Sequence, residues 1–130
     1  MIEGPLQVVA LPWHTHLAGG TFWYLATPYA KHVHGKEEAF KEAARAAGLL
    51  IQHGVHVFSP IAHSHPIAEL CNMEKDSHDL WMPLDLAILK GSNGVLVNPI
   101  PGWRISKGIE MEINAARELG LPVYRLDMDW

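Results

Sequence analysis

The sequence predicts an α/β protein built on a doubly wound parallel sheet of about four to five strands, with helices on both faces. Short segments that are apolar throughout, as expected of strands buried on both faces, alternate with longer segments of helical periodicity. Loops rich in Gly, Pro, Asn and Ser separate these segments. A chain of 130 residues can bury a substantial core, and we expect residues 1–130 to form a single domain.

Composition excludes several classes of protein. Hydrophobic residues make up 48% of the chain and charged residues 18%, which is typical of a globular protein. A net charge of −4 offers no basic footprint for duplex nucleic acid or an anionic membrane. Cys71 is the single cysteine, so no disulfide can form within the chain. With no apolar run of membrane-spanning length and no signal-peptide pattern, we expect a soluble, cytoplasmic protein.

The N-terminal half predicts two core strands and a helix. Residues 6–11 favour a strand, and the sequence leaves open whether residues 1–21 form an N-terminal extension or an edge strand. Residues 22–26 predict a buried strand, residues 36–53 a helix that Gly54 ends, and residues 55–59 a second core strand. The side of the helix that we expect to face the core comprises Phe40, Ala43, Ala44, Ala47, Leu50 and Ile51.

The C-terminal half continues the alternation. Residues 61–66 are predicted to be a loop, residues 67–73 a short helix, and residues 77–90 a longer helix. The inward side of the longer helix is predicted to carry Leu80, Leu84, Ala87 and Ile88. The remaining predictions are a turn over residues 91–94, a strand over 95–97, a helix over 107–119 and a strand over 123–126.

Ligands of such sheets bind beyond the carboxyl ends of the strands. In this chain those ends are residues 27–29, 59–65 and 98–106. The sequence therefore predicts where a ligand site lies before it predicts what the ligand is.

Three carboxylates are candidates for chemistry at that edge. Asp85 lies among apolar residues of a predicted helix, where a charge is costly unless it has a partner. Glu110 and Glu112 begin the last helix but occupy different sides of it, because residues i and i+2 do not share a helix face. The simpler interpretation is that the two glutamates only complement the helix dipole, and the pattern leaves both interpretations open.

Histidine pairs and an anion-binding turn are two further candidates. The pairs are His14/His16, His32/His34 and His63/His65. They lie mostly in predicted loops without cysteine support, so a zinc site is the weaker interpretation and we expect no metal. Arg104, Ser106 and Gly108 precede a helix N-terminus and suit a single phosphate or a sugar hydroxyl, although Ser106 can equally be an ordinary N-cap. No P-loop and no Gly-x-Gly-x-x-Gly motif is present, and we expect no nucleotide cofactor.

Several motifs resemble the nucleoside 2-deoxyribosyltransferase superfamily, whose fold is flavodoxin-like. They are Tyr24-Leu25-Ala26-Thr27-Pro28-Tyr29, the helix segment Leu84-Asp85-Leu86, the strand Asn93-Gly94-Val95-Leu96-Val97 and Ser106-x-Gly108-x-x-x-Glu112. The chain is most similar to a small bacterial and phage branch whose function is not established. That branch is marked by Ser59-Pro60, Ser64-His65-Pro66 and Gly102-Trp103-Arg104-x-Ser106-x-Gly108. The resemblance covers residues 22–126.

The resemblance implies cleavage of the N-glycosidic bond of a 2-deoxynucleoside or its 5′-monophosphate, by hydrolysis or transfer, through a covalent glycosyl-glutamate. Glu112 matches the nucleophile, Asp85 an aspartate that orients the sugar and supports acid/base work, and Ser106 a phosphate contact. The other residues implied near the substrate are Tyr29, His65, Trp103, Arg104 and Gly108. Asp79, Asp85 or His65 is expected to help the base leave with a proton, and Trp81 or Trp103 to stack on it. Relatives imply a homo-oligomer, dimer or tetramer.

The sequence departs from the superfamily pattern at two positions. Glu110 replaces a small residue two positions before Glu112, which predicts either a narrower sugar pocket or the exclusion of phosphate, and Thr27 replaces a Gly. Two alternatives therefore stay open. One is a non-catalytic nucleotide-binding or sensor domain on the same fold. The other is a metal-dependent hydrolase that uses His63, His65 and nearby carboxylates.

Overall fold

A computed structural model describes residues 1–10, 17, 20–30, 32–75 and 77–127. The predicted loop at His14 and His16 lies outside the described residues. The elements of the described part, in chain order, are β1 (Gln7–Val9), β2 (Trp23–Ala26), α1 (Lys36–Gln52), β3 (Val57–Phe58), α2 (Pro60–Leu70), α3 (His78–Lys90), β4 (Val95–Val97), a 3-10 helix (Trp103–Ile105), α4 (Lys107–Glu118) and β5 (Val123–Leu126).

The strands form one five-stranded sheet in the order β1-β5-β4-β2-β3, and each neighbouring pair is parallel. The predicted doubly wound parallel sheet is therefore confirmed. The sheet also decides the open question about the N-terminus. Val9 is in register with Leu126 of β5, so the first residues supply an edge strand.

Two apolar cores lie on opposite faces of the sheet, because successive side chains of a strand point to opposite sides. Trp23 and Leu25 of β2 contribute to the core that includes Ala46, Ala47 and Leu50 of α1. Tyr24 and Ala26 contribute to the other core, with Leu89 of α3 and with Ile109, Ile113 and Ala116 of α4. Helices thus cover both faces, as predicted.

The strand order creates a crevice between β2 and β4. The chain leaves β2 through α1 towards β3 on one side, whereas it leaves β4 through α4 towards β5 on the other. Connections that diverge from two adjacent strands leave a gap at the carboxyl ends, and ligands of doubly wound sheets bind there.

The prediction of a loop over residues 61–66 is wrong. Helix α2 begins at Pro60, and the Ser59 hydroxyl caps it by accepting a hydrogen bond from the Ala62 N–H at 3.2 Å. Proline is favoured at the first helical position, where its missing N–H costs nothing. Pro66 lies inside the same helix. The helix ends at Leu70, so the short helix predicted over residues 67–73 is confirmed only over residues 67–70.

The inward side predicted for α3 is right for Ile88, which packs against the core, and wrong for Leu80, Leu84 and Ala87, which are exposed. Leu80 and Leu84 are 47% and 42% exposed, whereas Met82 and Leu89 are buried. The sequence of this helix is apolar on most sides, so periodicity alone does not select the buried stripe. In α1 the buried residues include Ala43, Ala47 and Leu50 as predicted, but Ala44 and Ile51 are exposed. Among the described residues, none of the helices has the length and apolar character needed to cross a membrane.

Substitution of two glycines by alanine is expected to change the stability of the protein in opposite directions. A Cβ on Gly94 would lie 2.5 Å from the Pro122 carbonyl oxygen, and its φ of 151° disfavours other residues. We expect Gly94→Ala to lower the free energy of unfolding by roughly 1–3 kcal/mol. Gly48 lies within α1 with nothing within 4 Å of an added Cβ. Gly48→Ala should therefore raise stability by about 0.5–1 kcal/mol. Urea denaturation measures both, and equal effects would contradict the assigned geometry.

Candidate functional site

A cavity of about 150 Å³ opens at the carboxyl edge of the sheet. Its wall combines Thr27 and Tyr29 after β2, Ser64 of α2, Asp85 of α3 and Glu112 of α4. Four segments of the chain therefore meet at the edge that the sequence indicated.

Glu112 is held from the sheet by a tyrosine. The side chain is buried in α4, and the Tyr24 hydroxyl in β2 donates a short hydrogen bond to its Oε2 atom. Burial raises the pKa of Tyr24 well above its ordinary value, and the nearby charges of Glu112 and Asp85 raise it further. The phenol therefore stays protonated and acts as a fixed donor to the carboxylate.

The two acids of the cavity have separated pKa values. Burial raises the pKa of Glu112 to about 8; the Tyr24 hydrogen bond acts in the opposite direction, and the Asp85 charge adds to the rise. Burial also raises the pKa of Asp85 to about 6. Because the groups interact, they titrate as a pair, and between these values the pair carries a single negative charge.

Two helix N-termini face the same cavity. Ser77 caps α3 by accepting from the Leu80 N–H at 3.3 Å, and Ser106 caps α4 by accepting from the Ile109 N–H at 3.2 Å. Both serines line the cavity. The two interpretations of Ser106 from sequence are thus compatible, since it is an N-cap and also lies on the wall.

Two lysines and a glycine complete this side of the wall. Lys75 and Lys107 line the cavity and pair with Glu69 at 2.7 Å and Glu110 at 3.2 Å, respectively. Gly108, in the first turn of α4, lies between Ser106 and His78, 3.9 and 3.7 Å from a Cβ built on it. Helix N-termini and lysines are positive, so this side of the cavity suits an anion.

Tyr29 connects the cavity to a buried histidine. Its hydroxyl lies 2.5 Å from Nδ1 of His65, and Nε2 of His65 lies 2.8 Å from Oε2 of Glu37. The imidazole stacks on Phe40 with ring centroids 4.6 Å apart. His65, predicted from sequence to contact substrate, therefore lies behind Tyr29 rather than on the wall.

Trp103 and Arg104 lie elsewhere. The Arg104 guanidinium stacks 4.3 Å from the Trp103 ring and donates to the carbonyl oxygens of Ile2 at 3.1 Å and Gly4 at 3.2 Å. Neither residue is among the described residues that line the cavity. Arg104 therefore binds the N-terminal segment to the 3-10 helix.

Glu110 also points away from the cavity. Its carboxylate pairs with the amino group of Met1 at 3.0 Å and with Lys107. The amino group of Met1 and, after it, Lys107 hold the pKa of Glu110 below its ordinary value. The expectation that Glu110 narrows the sugar pocket therefore has no support in this geometry.

Some site residues were missed from sequence. Tyr24 was assigned only to a buried strand, although a buried phenol normally needs a hydrogen-bond partner, and that rule could have identified it. Thr27 Oγ1 and both polar atoms of the Asn98 amide are buried, and they have no hydrogen-bond partner among the residues that the structure describes. Thr27 and Asn98 directly follow β2 and β4, so these atoms lie at the crevice between the two strands.

The histidines form no metal cluster in the described part of the chain. No group of three or more His, Cys, Asp or Glu side chains there has an arrangement suited to a metal ion. His65, which a metal-dependent hydrolase would need, has both ring nitrogens within hydrogen-bond distance of protein groups.

Comparison with known proteins identifies a family for most of the chain. A family model described as a domain of unknown function (DUF1937) matches residues 21–128. The matched range includes β2 to β5 and the whole cavity wall, and it leaves out β1. No curated protein matches the chain. The family description does not mention nucleoside deoxyribosyltransferases, so that resemblance stays a prediction.

Burial of Glu112 predicts a pH-dependent stability. The folded-state pKa, about 8, exceeds the unfolded value, so the stabilising contribution is full below about pH 4.5 and is lost as pH rises through 8. Glu112→Gln abolishes this titration and keeps an acceptor for Tyr24. We expect its melting temperature to exceed that of the wild type by roughly 3–10 °C at pH 8.5 and by much less at pH 5.

Asp85→Asn is the matched control for this measurement. The pKa of Asp85 is about 6, so its effect should level off by about pH 7, whereas that of Glu112→Gln continues to rise. A difference between Glu112→Gln and wild type that does not change with pH would contradict the burial of an ionisable carboxyl.

Proposed function

The chain belongs to the family described as a domain of unknown function (DUF1937), and because that description assigns no activity, we propose from the site that the protein cleaves the N-glycosidic bond of a 2-deoxynucleoside or its 5′-monophosphate. The observation that carries the proposal is the buried Glu112 carboxyl, held by Tyr24 beside a second acid in one small cavity. Enzymes that cleave glycosidic bonds through a covalent intermediate use two carboxyl groups in this way.

The reaction proceeds in two displacements. Ionised Glu112 attacks the anomeric carbon, the bond from that carbon to the base breaks, and an ester links the sugar to Glu112. Water or a second base then displaces Glu112 from the sugar. Because Tyr24 binds Oε2, the other oxygen of Glu112 is the one available for attack. Asp85 orients the sugar hydroxyls.

Burial of the carboxylate favours this chemistry. Ionised Glu112 is destabilised by its burial, which raises its pKa to about 8. The transition state carries positive charge on the sugar, which a fixed negative charge in a low-dielectric site stabilises strongly. A 2-deoxy sugar lacks the hydroxyl that would oppose this charge, so the reaction needs no metal.

The positive side of the cavity supports a substrate with an anionic group. The N-termini of α3 and α4 both face the cavity, and Lys75 and Lys107 line it. A 5′-phosphate is the anionic group that a nucleotide would place beside a reacting sugar.

A non-catalytic nucleotide-binding domain is the second candidate. It is favoured by the raised pKa of Glu112, about 8, which keeps most of this carboxyl protonated at neutral pH and thus unable to attack. The two candidates differ in one observable, because only an enzyme forms a glycosyl ester on Glu112.

Glu112→Gln tests the nucleophile. Wild-type protein should release free base from at least one member of a panel of the four deoxynucleosides and their monophosphates, measured by chromatography. Glu112→Gln should lower kcat by roughly 10³-fold or more, and Asp85→Asn by about 10²-fold through a misplaced sugar. Acid-quenched wild type should carry the added mass of a deoxyribosyl group.

Glu110→Gln is the matched control, since it removes a glutamate of the same helix that does not line the cavity. Its kcat should stay at the wild-type value. A Glu112→Gln protein that still releases base would disprove the nucleophile assignment. Nucleotide binding without base release would favour the non-catalytic candidate.

Lys75→Met tests the anionic group. Loss of a cation next to a phosphate should raise KM about tenfold for the preferred monophosphate and much less for its nucleoside. Lys90→Met is the control, because Lys90 ends α3 away from the cavity. The same increase in KM for nucleoside and monophosphate would reject a phosphate contact at Lys75.

A further inference from the structure

A chain of hydrogen bonds runs from the cavity wall to the protein surface. Tyr29 lines the cavity, His65 is 4% exposed behind it, and the Glu37 side chain is 62% exposed. The two links measure 2.5 Å from the Tyr29 hydroxyl to Nδ1 of His65 and 2.8 Å from Nε2 of His65 to Glu37. A phenol, an imidazole and a carboxylate therefore stand in sequence between the cavity and solvent.

Three separate elements fix this geometry. Tyr29 lies in the loop after β2, Glu37 in the first turn of α1, and His65 in α2. Phe40 stacks against one face of the imidazole at an interplanar angle of 16°, and the Tyr29 ring meets it edge-on at 86°. A histidine whose ring is held by packing and by a carboxylate on one nitrogen presents its other nitrogen in a defined direction.

A second histidine–glutamate pair in the same region shows what a purely structural pair looks like. His32 is 7% exposed, and its Nε2 lies 3.0 Å from Oε2 of Glu42. Its Nδ1, however, accepts the backbone N–H of His34 at 3.0 Å. A backbone amide does not exchange its proton in catalysis, so no proton can be relayed beyond Nδ1 of His32. His65 differs because its Nδ1 contacts the hydroxyl of Tyr29, a residue that lines the cavity.

We propose that Tyr29, relayed through His65 and Glu37, is the acid and base that serves the leaving base and the incoming water. This inference rests on the proposed function and assigns its proton transfers. Tyr29 is the catalytic residue, because it lines the cavity and its hydroxyl contacts His65. His65 and Glu37 are positioning residues that act through it.

The proton transfers balance over the two displacements. When the bond from sugar to base breaks, its electron pair goes to the base, the Tyr29 hydroxyl gives its proton to that base, and protonated His65 gives its Nδ1 proton to Tyr29. Neutral His65 keeps its Nε2 proton and donates it in a hydrogen bond to Glu37. Water then attacks the sugar as Glu112 leaves, and passes a proton to Tyr29, which returns one to His65. The base gains the proton that water loses.

The test compares leaving groups that do and do not need a proton. The substrates are the deoxynucleoside that wild type cleaves best and the 4-nitrophenyl 2-deoxyriboside, whose nitrophenolate departs without protonation. An N7-methylated purine deoxynucleoside supplies a second leaving group of this kind. The rates compared are those of the first turnover, because the later attack of water also uses Tyr29 and is common to all substrates. In that first turnover, Tyr29→Phe should slow release of the natural base by roughly 10²- to 10⁴-fold and leave proton-free departure close to the wild-type rate.

Further variants separate the relay from structure. His65→Gln and Glu37→Gln should show the same selectivity as Tyr29→Phe, with smaller losses. His32→Gln and Glu42→Gln, which alter the matched pair, should show none. Asp85→Asn should slow both kinds of substrate equally, because it orients the sugar. Thermal unfolding confirms that each variant is folded at the assay temperature.

The possible results distinguish a failure of the relay from a failure of the proposed function. Equal losses in the first turnover on both kinds of leaving group for Tyr29→Phe would overturn the relay and leave the Glu112 chemistry standing. A selective loss in Tyr29→Phe that neither His65→Gln nor Glu37→Gln shares would overturn the relay behind it. Wild-type protein that cleaves none of the substrates overturns the proposed function, and the catalytic role of Tyr29 with it.

Discussion

The hydrogen bond between Tyr24 and Glu112 is the interaction on which the rest of the site depends. It joins the central strand β2 to helix α4 inside an otherwise apolar core. An ionisable carboxyl in such a place is tolerated only with a partner, and the phenol supplies one without adding a charge. The sheet fixes the position of the Glu112 carboxyl through Tyr24, and the other residues of the cavity lie around this carboxyl.

The topology of the sheet explains why this carboxyl reaches a cavity. Parallel strands send all their carboxyl ends to one edge, and the divergence of the chain from β2 and β4 opens a crevice there. Capped helices α3 and α4 direct their N-termini at the same place. The wall of one cavity thus combines the acids Glu112 and Asp85 with two helix N-termini and two lysines. Under the proposed function, a sugar joined to an anionic group suits that combination, and burial of the acids lowers the stability of the fold, as is usual for functional sites.

The two histidine–glutamate pairs illustrate how similar contacts acquire different meaning. His32 and His65 are both buried and both meet a glutamate through Nε2. Only the group on Nδ1 differs, a backbone amide in one case and the Tyr29 hydroxyl in the other. The chemistry that an imidazole can perform is set by what both of its nitrogens touch.

The sequence by itself determined the alternation of strands and helices, the parallel sheet, the edge of the sheet at which the cavity opens and the start of α4 after Ser106. These features follow from apolar periodicity and capping, which are local. It also contained the start of α2, since Ser59 and Pro60 are a cap and a first helical residue, although the segment was predicted as a loop. Tertiary structure alone decided that β1 is an edge strand, that Arg104 and Glu110 turn towards the N-terminal segment, and which stripe of α3 is buried. It also decided the partners of the key side chains. Tyr24 and Glu112 are 88 positions apart, and His65 is 36 and 28 positions from Tyr29 and Glu37. Contacts at such separations depend on how the helices pack on the sheet, and no local pattern encodes them.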